Sequence, residues 1–272
     1  MVITEKQLNI VIGHPLAHTK SPALHELVYK YIGVNATLLP FSHPDIRKLI
    51  AAIRTLSIKL SAVTMPFKQS AMSLVDKIDS PAQKVGAINT IINRNGKLIG
   101  YNTDVFGIEY ALRDTPIKNK NVLVIGAGGA ASAVAYVVKK KRGKLIYVNR
   151  TQERSKGLQK KFGGRVARIS ELESKDIDII INATPIGMFP RVKKMPVPKT
   201  LIGKHQTVFD LVYNPFRTGL LRSAEKKGAI VISGINMFTA QGTRQIELWT
   251  GKKIINERLV ARLNKQILKT MP

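Results

Sequence analysis

A strand-length apolar run, Asn121-Val-Leu-Val-Ile125, passes directly into Gly126-Ala-Gly-Gly-Ala-Ala131 and then into a helix-length segment ending near Lys141. Few folds accept that order. Gly126 permits a tight turn, Gly128 lets the backbone approach a pyrophosphate, and Ala131 lets helix and strand pack closely. The first N–H groups of the helix, with the helix dipole behind them, favour negative charge. The run fits G-x-G-x-x-G/A in the strand-loop-helix context that gives the pattern meaning. It predicts a dinucleotide site with Gly126, Ala127, Gly128, Gly129 and Ala130 against the phosphates.

The following strand, Lys144–Val148, ends in Asn149-Arg150-Thr151, close to the roughly 20-residue spacing at which an NAD site places a carboxylate for the ribose 2′-OH. This chain has Asn149 and then Arg150, with Arg154 one helical turn on. A guanidinium grips a 2′-phosphate through paired hydrogen bonds, and a carboxylate would repel it. The expected cofactor is therefore NADP.

From Asn121 onward, Lys144–Val148, Ile177–Ile181, Thr207–Leu211 and Ala229–Ile232 continue as short apolar strands separated by helix-length segments. That alternation argues for a parallel, doubly wound sheet. The amino-terminal part reads differently. Strands are expected at Leu8–Gly13, Ala36–Leu39 and Leu60–Thr64, with a helix opened by Ser21-Pro22 and another over Asp45–Thr55. Ile88–Asn93 and Lys97–Tyr101 flank Arg94-Asn-Gly96, a hairpin signal. Asn236–Trp249 and Asn256–Leu268 carry apolar residues at helical spacing.

With 44% hydrophobic and 22% charged residues, the 272-residue chain is ordinary globular material. None of its apolar runs approaches the roughly 20 residues of a membrane span. Met1-Val-Ile-Thr-Glu-Lys-Gln shows no secretory signal, and the absence of cysteine excludes disulfides, a thiol nucleophile and a zinc-thiolate site. These point to a cytoplasmic protein with no bound metal. The unusual quantity is charge: 44 Lys+Arg against 17 Asp+Glu gives +27. The cations are dispersed, with dense runs at Lys139-Lys-Lys-Arg142 and Arg191-Val-Lys-Lys194, and are not interleaved with aromatics as in a base-stacking surface. They read as a solvated basic surface that attracts anions without specific nucleic-acid recognition.

Further polar and glycine-bearing fragments run along the chain: Val11-Ile-Gly-His-Pro-Leu-Ala-His-Thr-Lys-Ser-Pro22, Val63-Thr-Met-Pro-Phe-Lys68, Gly86-Ala-Ile-Asn-Thr90 and Gly100-Tyr-Asn-Thr-Asp104. The glycine loop, Asn149-Arg-Thr151, Asn182-Ala-Thr-Pro-Ile-Gly-Met188, Asp210-Leu-Val-Tyr213, Gln241-Gly242 and Trp249-Thr-Gly251 follow. In order and spacing these resemble the shikimate dehydrogenase family along nearly the whole chain. The resemblance implies an α/β fold: an amino-terminal α/β substrate domain (1–103), a Rossmann-type NADP domain (104–235), and carboxy-terminal helices (236–272) packing back on the first. It implies reversible NADPH-linked reduction of 3-dehydroshikimate to shikimate, the step that feeds aromatic amino-acid biosynthesis, by a monomer or homodimer.

The resemblance also assigns roles. Lys68 and Asp104 match the family's catalytic pair, the amine moving a proton to and from the substrate oxygen while the carboxylate orients it. Thr19, Ser21, Thr64, Asn89, Tyr213 and Gln241 match substrate-pocket positions. Thr151, Thr184, Met188 and Gly234 join Asn149, Arg150, Arg154 and the glycine loop on the cofactor side. Taken singly, Asp104 and Ser21 read as helix N-caps, Asn89 as a turn residue, Tyr213 as a core aromatic and Gln241 as a surface glutamine. Two positions depart from the pattern: Ala62 stands where the family commonly has Asn, and Thr19 where Ser is usual. They leave open a quinate/shikimate dehydrogenase of broader substrate or cofactor use. A polyanion- or RNA-binding protein on a dinucleotide fold is the alternative from another class, predicting salt-dependent binding without turnover.

Overall fold

The computed structural model describes residues 6–16 and 19–271. The first five of the amino-terminal residues read above for a secretory signal, and Ala17 and His18 of the first motif, lie outside the described residues. The chain divides into two compact units, one built from residues 1–106 and 239–270, the other mainly from 107–238.

The first unit opens β1 (Gln7–Gly13), α1 (Ser21–Ile32), β2 (Ala36–Ser42), α2 (Ile46–Thr55) and β3 (Leu60–Val63). It continues with β4 (Lys77–Ile78), α3 (Ser80–Val85), β5 (Thr90–Arg94), β6 (Lys97–Tyr101) and the first turn of α4 (Thr103–Ala111). The sheet order is β2-β1-β3-β5-β6-β4. β1 pairs parallel with β2 and β3, whereas β5 runs antiparallel to both β3 and β6. Ile10, Ile12, Ile53, Val63, Ile88 and Ile91 pack in its core. The expected hairpin is present: Arg94 pairs with Lys97 across Asn95 (φ 52°) and Gly96 (φ 89°), the two left-handed positions of a type I′ turn.

The second unit carries β7 (Asn121–Ile125), α5 (Gly129–Lys140), β8 (Lys144–Val148), α6 (Gln152–Phe162), β9 (Arg165–Val166) and β10 (Ile179–Asn182). β11 (Thr207–Asp210), α7 (Gly219–Lys226) and β12 (Ile230–Ser233) complete its sheet. All pairs are parallel and the order is β9-β8-β7-β10-β11-β12. Counted from β7, this is the 3-2-1-4-5-6 order of a dinucleotide-binding sheet, with its reversal between β7 and β10. Strands buried on both faces explain why β7 and β10 read as unbroken apolar runs. The chain then returns to the first unit through α8 (Ile235–Thr250) and α9 (Glu257–Leu268), and α9 packs on α1.

Two caps differ from expectation. Ser21 is the first residue of α1, behind Lys20 at the cap position, whose side chain makes no cap bond. The helix opens instead with the Ser21 N–H donating to Thr19 Oγ1 at 3.3 Å. Asp104 lies inside the first turn of α4 rather than capping it; Asn102 Oδ1 takes the Val105 N–H at 3.3 Å. Both carboxylate oxygens of Asp104 are therefore turned to other work.

Candidate active site

Lys68 follows β3 on a loop whose backbone is fixed by the Ile88 N–H donating to Lys68 O at 2.7 Å. Its Nζ donates to Asp104 Oδ2 at 2.5 Å. The carboxylate side chain is 4% exposed and the ammonium 18%. An acid so deeply buried needs every lone pair engaged, and Asp104 Oδ1 accepts from Asn89 Nδ2 at 2.9 Å. The two ionic side chains thus form a supported pair with the amine at its more accessible end.

Asn89 is the hub of this cluster. Its backbone bridges two elements: Val63 N–H donates to Asn89 O at 2.7 Å, and Asn89 N–H to Tyr101 O at 2.9 Å. Its Oδ1 accepts from the Thr103 N–H at 2.7 Å and from Thr90 Oγ1 at 2.9 Å. Because a backbone N–H can only donate, these contacts fix the amide orientation and turn Nδ2 toward Asp104. Gln241 Oε1, on α8, stands 3.2 Å from the same Nδ2. The structure therefore brings together Lys68, Asn89, Asp104 and Gln241 from four separate stretches of chain.

Thr64 sits just beyond β3, its N–H donating to Ile12 O at 2.9 Å. Its methyl occupies the place a side chain on Gly13 would need, 2.6 Å from an ideal Cβ there, so the motif's glycine makes room for the threonine. Thr19 and Ser21 stand together at the start of α1. Ala62 is buried in β3 opposite Thr90. Tyr213 belongs to the second unit, where its ring stacks on Phe238 at 4.1 Å and 17°.

Three polar residues of the first unit carry structure that sequence reasoning missed. Thr103 and Gln245 hold Asn89, and His25 holds Gln245. Helical spacing offered a signal for one of them: Gln245 is four residues after Gln241, on the same face of α8.

In the second unit the glycine loop turns at the sheet reversal. Gly126 has φ 109°, and a side chain there would meet Thr184 Cγ2 at 2.9 Å; its N–H donates to Val148 O at 2.9 Å. Gly128 differs: an added Cβ would meet no protein atom within 4 Å. Bare backbone at the mouth of α5, on its open side, fits a pyrophosphate, with Ala127, Gly129 and Ala130 completing the loop. A cavity of about 790 Å³ beside it is lined by Gly126, Asn149, Arg150 and Thr184. Pro196 and Lys199 wall it as well, residues with no sequence motif to announce them. Asn149 Nδ2 donates to Thr151 O at 2.9 Å, shaping the turn that exposes Arg150, and Arg154 follows exposed on α6. These features suit a dinucleotide bearing an extra phosphate.

Asn182 and Asp210 tie the loops after β10 and β11 together. Asn182 Nδ2 donates to Asp210 Oδ1 at 2.9 Å, while its Oδ1 accepts from Thr184 Oγ1 at 2.6 Å. Asp210 also accepts from Thr218 Oγ1 at 2.7 Å and the Val212 N–H at 3.0 Å. Burial is the larger effect on this carboxyl and pushes it up to about 6, with the three donors pulling the other way. Met188 is held by its N–H donating to Pro185 O at 3.1 Å. At Gly234 any side chain would strike Leu211 O at 2.4 Å, so the glycine lets the chain pass close over the end of β11.

Among the described residues no group of three His, Asp or Glu could hold a metal ion, and no helix is long and apolar enough to cross a membrane.

Two family models match the chain: the shikimate dehydrogenase substrate binding domain over residues 11–91, and shikimate / quinate 5-dehydrogenase over 109–211. A curated relative from Pyrococcus furiosus, named shikimate dehydrogenase (NADP(+)), is 38% identical over 257 residues, covering 93% of each chain. Among solved structures, a shikimate dehydrogenase in complex with NADP+ superposes with a TM-score of 0.91 at 34% identity, covering 98% of this chain and 96% of that one. The Thermus thermophilus shikimate 5-dehydrogenase in complex with NADP(H) and shikimate gives 0.88 at 29% identity, over 97% and 100%.

Proposed function

Because the chain belongs to the shikimate dehydrogenase family, we propose that it catalyses the reversible NADPH-dependent reduction of 3-dehydroshikimate to shikimate, supplying aromatic amino-acid biosynthesis. The observation that carries this reading is the Lys68–Asp104 pair, buried at its acidic end and braced by Asn89.

A dinucleotide held by the glycine loop, Arg150 and Arg154 would supply the hydride for the carbonyl carbon, and the substrate oxygen would then need a proton. Lys68 donates that proton, and in the oxidative direction takes it back from the hydroxyl. Asp104 holds the amine in place and offers an acceptor for a neighbouring hydroxyl. Asn89, Thr64 and Gln241 provide fixed dipoles for the ring hydroxyls, and Thr19 and Ser21 donate to the substrate carboxylate. Orienting the alcohol in this way converts part of the barrier into prepaid entropy. Tyr213 belongs to the substrate set by its match to the family motif.

On the cofactor side, Gly126, Ala127, Gly128, Gly129 and Ala130 receive the pyrophosphate, and Arg150 and Arg154, with Asn149 and Thr151 shaping the turn, receive the 2′-phosphate. Thr184, Met188 and Gly234 line the nicotinamide end. In this reading 1–103 and 236–272 serve the substrate and 104–235 the cofactor. The protein works in the cytoplasm, as monomer or homodimer, without specific nucleic-acid contacts.

A second reading, quinate oxidation alongside shikimate, draws on Ala62 and Thr19, which remove an amide and add a methyl relative to the usual pattern. The discriminating measurement is formation of the reduced cofactor (NADPH or NADH) at 340 nm with shikimate and with quinate, using NADP and NAD in turn. Shikimate with NADP is expected to be the best pair. Turnover with neither acid would overturn the proposal. Lys68→Ala is expected to lose turnover by about 10²–10⁴-fold, the range of a lost general acid, with NADP affinity kept. A near-normal rate in that variant would remove Lys68 from the chemistry.

A further inference from the structure

A chain of buried hydrogen bonds runs from the back of the first unit to the catalytic pair, and every donor in it has a determined direction. Leu60 N–H donates to Asn9 Oδ1 at 3.0 Å, so the Asn9 amide turns Nδ2 to Tyr29 Oη, 2.9 Å away. Tyr29 Oη lies 3.1 Å from His25 Nδ1, and His25 Nε2 lies 3.1 Å from Gln245 Oε1. At the other end, Gln245 Nε2 is 3.1 Å from Asn89 O and 3.0 Å from Thr90 Oγ1. A carbonyl only accepts, so the Gln245 nitrogen faces Asn89 and its oxygen faces His25. His25 must then carry its proton on Nε2, leaving Nδ1 to accept from the Tyr29 hydroxyl. Thr90 Oγ1, receiving from Gln245, passes its own proton to Asn89 Oδ1 at 2.9 Å, and Asn89 Nδ2 donates to Asp104 Oδ1 at 2.9 Å.

His25 is completely buried, and desolvation holds it down to about 4, so it is neutral at ordinary pH with the single tautomer the chain requires. Asn9, Thr90 and Asn89 are similarly sealed from water, at 0%, 0% and 2% exposure, and Gln245 is 3% exposed. Burying this many polar groups is costly unless each is hydrogen-bonded, and a network so satisfied specifies one arrangement. What it specifies is the Asn89 side chain, which has two protons on Nδ2 and three acceptors within reach: Thr103 Oγ1, Asp104 Oδ1 and Gln241 Oε1. With Oδ1 pinned by Thr90 and the Thr103 N–H, the amide cannot flip and present oxygen to the Asp104 carboxylate.

We propose that Gln245 and His25 are positioning residues for the reaction, acting through Thr90 to lock the Asn89 amide toward Asp104. They touch no reacting atom. The inference rests on the assignment of Lys68, Asn89 and Asp104 as the catalytic cluster, and its test separates the two. In a double-mutant cycle with Asn89→Ala and Gln245→Leu, each single change is expected to lower kcat about tenfold, the scale of coupling between hydrogen-bonded neighbours. The double variant is expected to fall no further than Asn89→Ala alone, with NADP affinity unchanged throughout. Thr90→Val, which keeps the shape and deletes only the hydroxyl, is expected to reproduce the Gln245→Leu loss. Additive losses in the cycle, or full kcat in both Gln245→Leu and Thr90→Val, would overturn the positioning role. Full kcat in Asn89→Ala would instead strike the catalytic assignment of Asn89 itself. Thermal unfolding of each variant identifies any that fail to fold, in which case Thr90→Val carries the cycle in place of Gln245→Leu.

Discussion

At the scale of single residues, cofactor choice is the sharpest question, because it turns on one or two guanidinium groups. Arg150 lines the cavity beside the glycine loop and Arg154 follows it on the surface of α6. Removing a charge-assisted bond to phosphate costs about 1.5–3 kcal/mol. Arg150→Ala is therefore expected to raise KM for NADP by roughly 10- to 150-fold while leaving KM for NAD nearly unchanged, measured by steady-state rates with each cofactor. An unchanged NADP/NAD ratio would remove Arg150 from the 2′-phosphate site.

Residue-level legibility follows from how much local pattern each role leaves. The glycine loop was readable because its function needs small residues at fixed steps after a strand. Lys68 and Asp104 were readable only through their surrounding motifs, since one lysine among many carries no signal of its own. Taken singly, Asp104 and Ser21 suggest caps because a short polar residue before a helix is usually recruited by the backbone; here Asn102 and Thr19 take those parts. His25 left no pattern, and Gln245 left only its helical spacing from Gln241. A buried histidine and a helical glutamine become partners only once α1 and α8, 220 positions apart, are packed side by side.

At the scale of elements, the strands and long helices were placed within two or three residues, as expected when periodicity is strong. β4 and β9, two residues each, and the six-residue α3 were missed because they are too short to show a period. The carboxy-terminal helices illustrate how an element is anchored at its ends. Buried Glu247, near the end of α8, accepts from the N–H groups of Ile254 and Ile255 at 2.7 and 2.9 Å, shaping the turn into α9. Asn256 Oδ1 then caps α9 by taking the Leu259 N–H at 2.9 Å. Leu259, Val260, Leu263 and Ile267 form the buried stripe of that helix. Asn256→Ala is expected to cost about 1 kcal/mol, the usual value of an N-cap, read as a lower urea midpoint at unchanged m-value. An unaltered midpoint would mean that packing alone holds the helix.

At the scale of the whole molecule, two buried groups respond to acid in opposite senses. His25 has a folded value of about 4 against 6.5 unfolded, so the unfolded chain binds the proton first. Its neutral burial is cost-free above pH 6.5 and loses stability progressively as pH falls toward 4. Asp210 has a folded value of about 6 against 3.8, so the folded chain binds the proton first. Its burial weighs against folding above pH 6, and that penalty is relieved as pH falls toward 3.8. At 1.36 kcal/mol per unit each effect approaches about 3 kcal/mol, and over this window they offset one another. Asp210→Asn deletes the compensating arm. Urea unfolding at pH 6.5 and 4.5 is expected to show a steeper acid loss for that variant than for the parent, and parallel losses would contradict the assignment.

Net charge acts at the same scale. A surplus of 27 positive charges repels itself and draws in small anions by long-range attraction. The nucleotide phosphates and the substrate carboxylate are of that sign, so the surplus suits the assigned ligands without requiring a polynucleotide partner.

The first unit takes its residues from both ends of the chain, with the second unit inserted between them. Synthesis on the ribosome therefore reaches them in a fixed order. Ser233 ends the last strand of the nucleotide-binding sheet, Gln241 and Gln245 of α8 follow it, and until they are made Asn89 lacks both its helical neighbours. The growing chain therefore has every strand of the coenzyme-binding sheet before it has the two glutamines that brace the catalytic pair through Asn89.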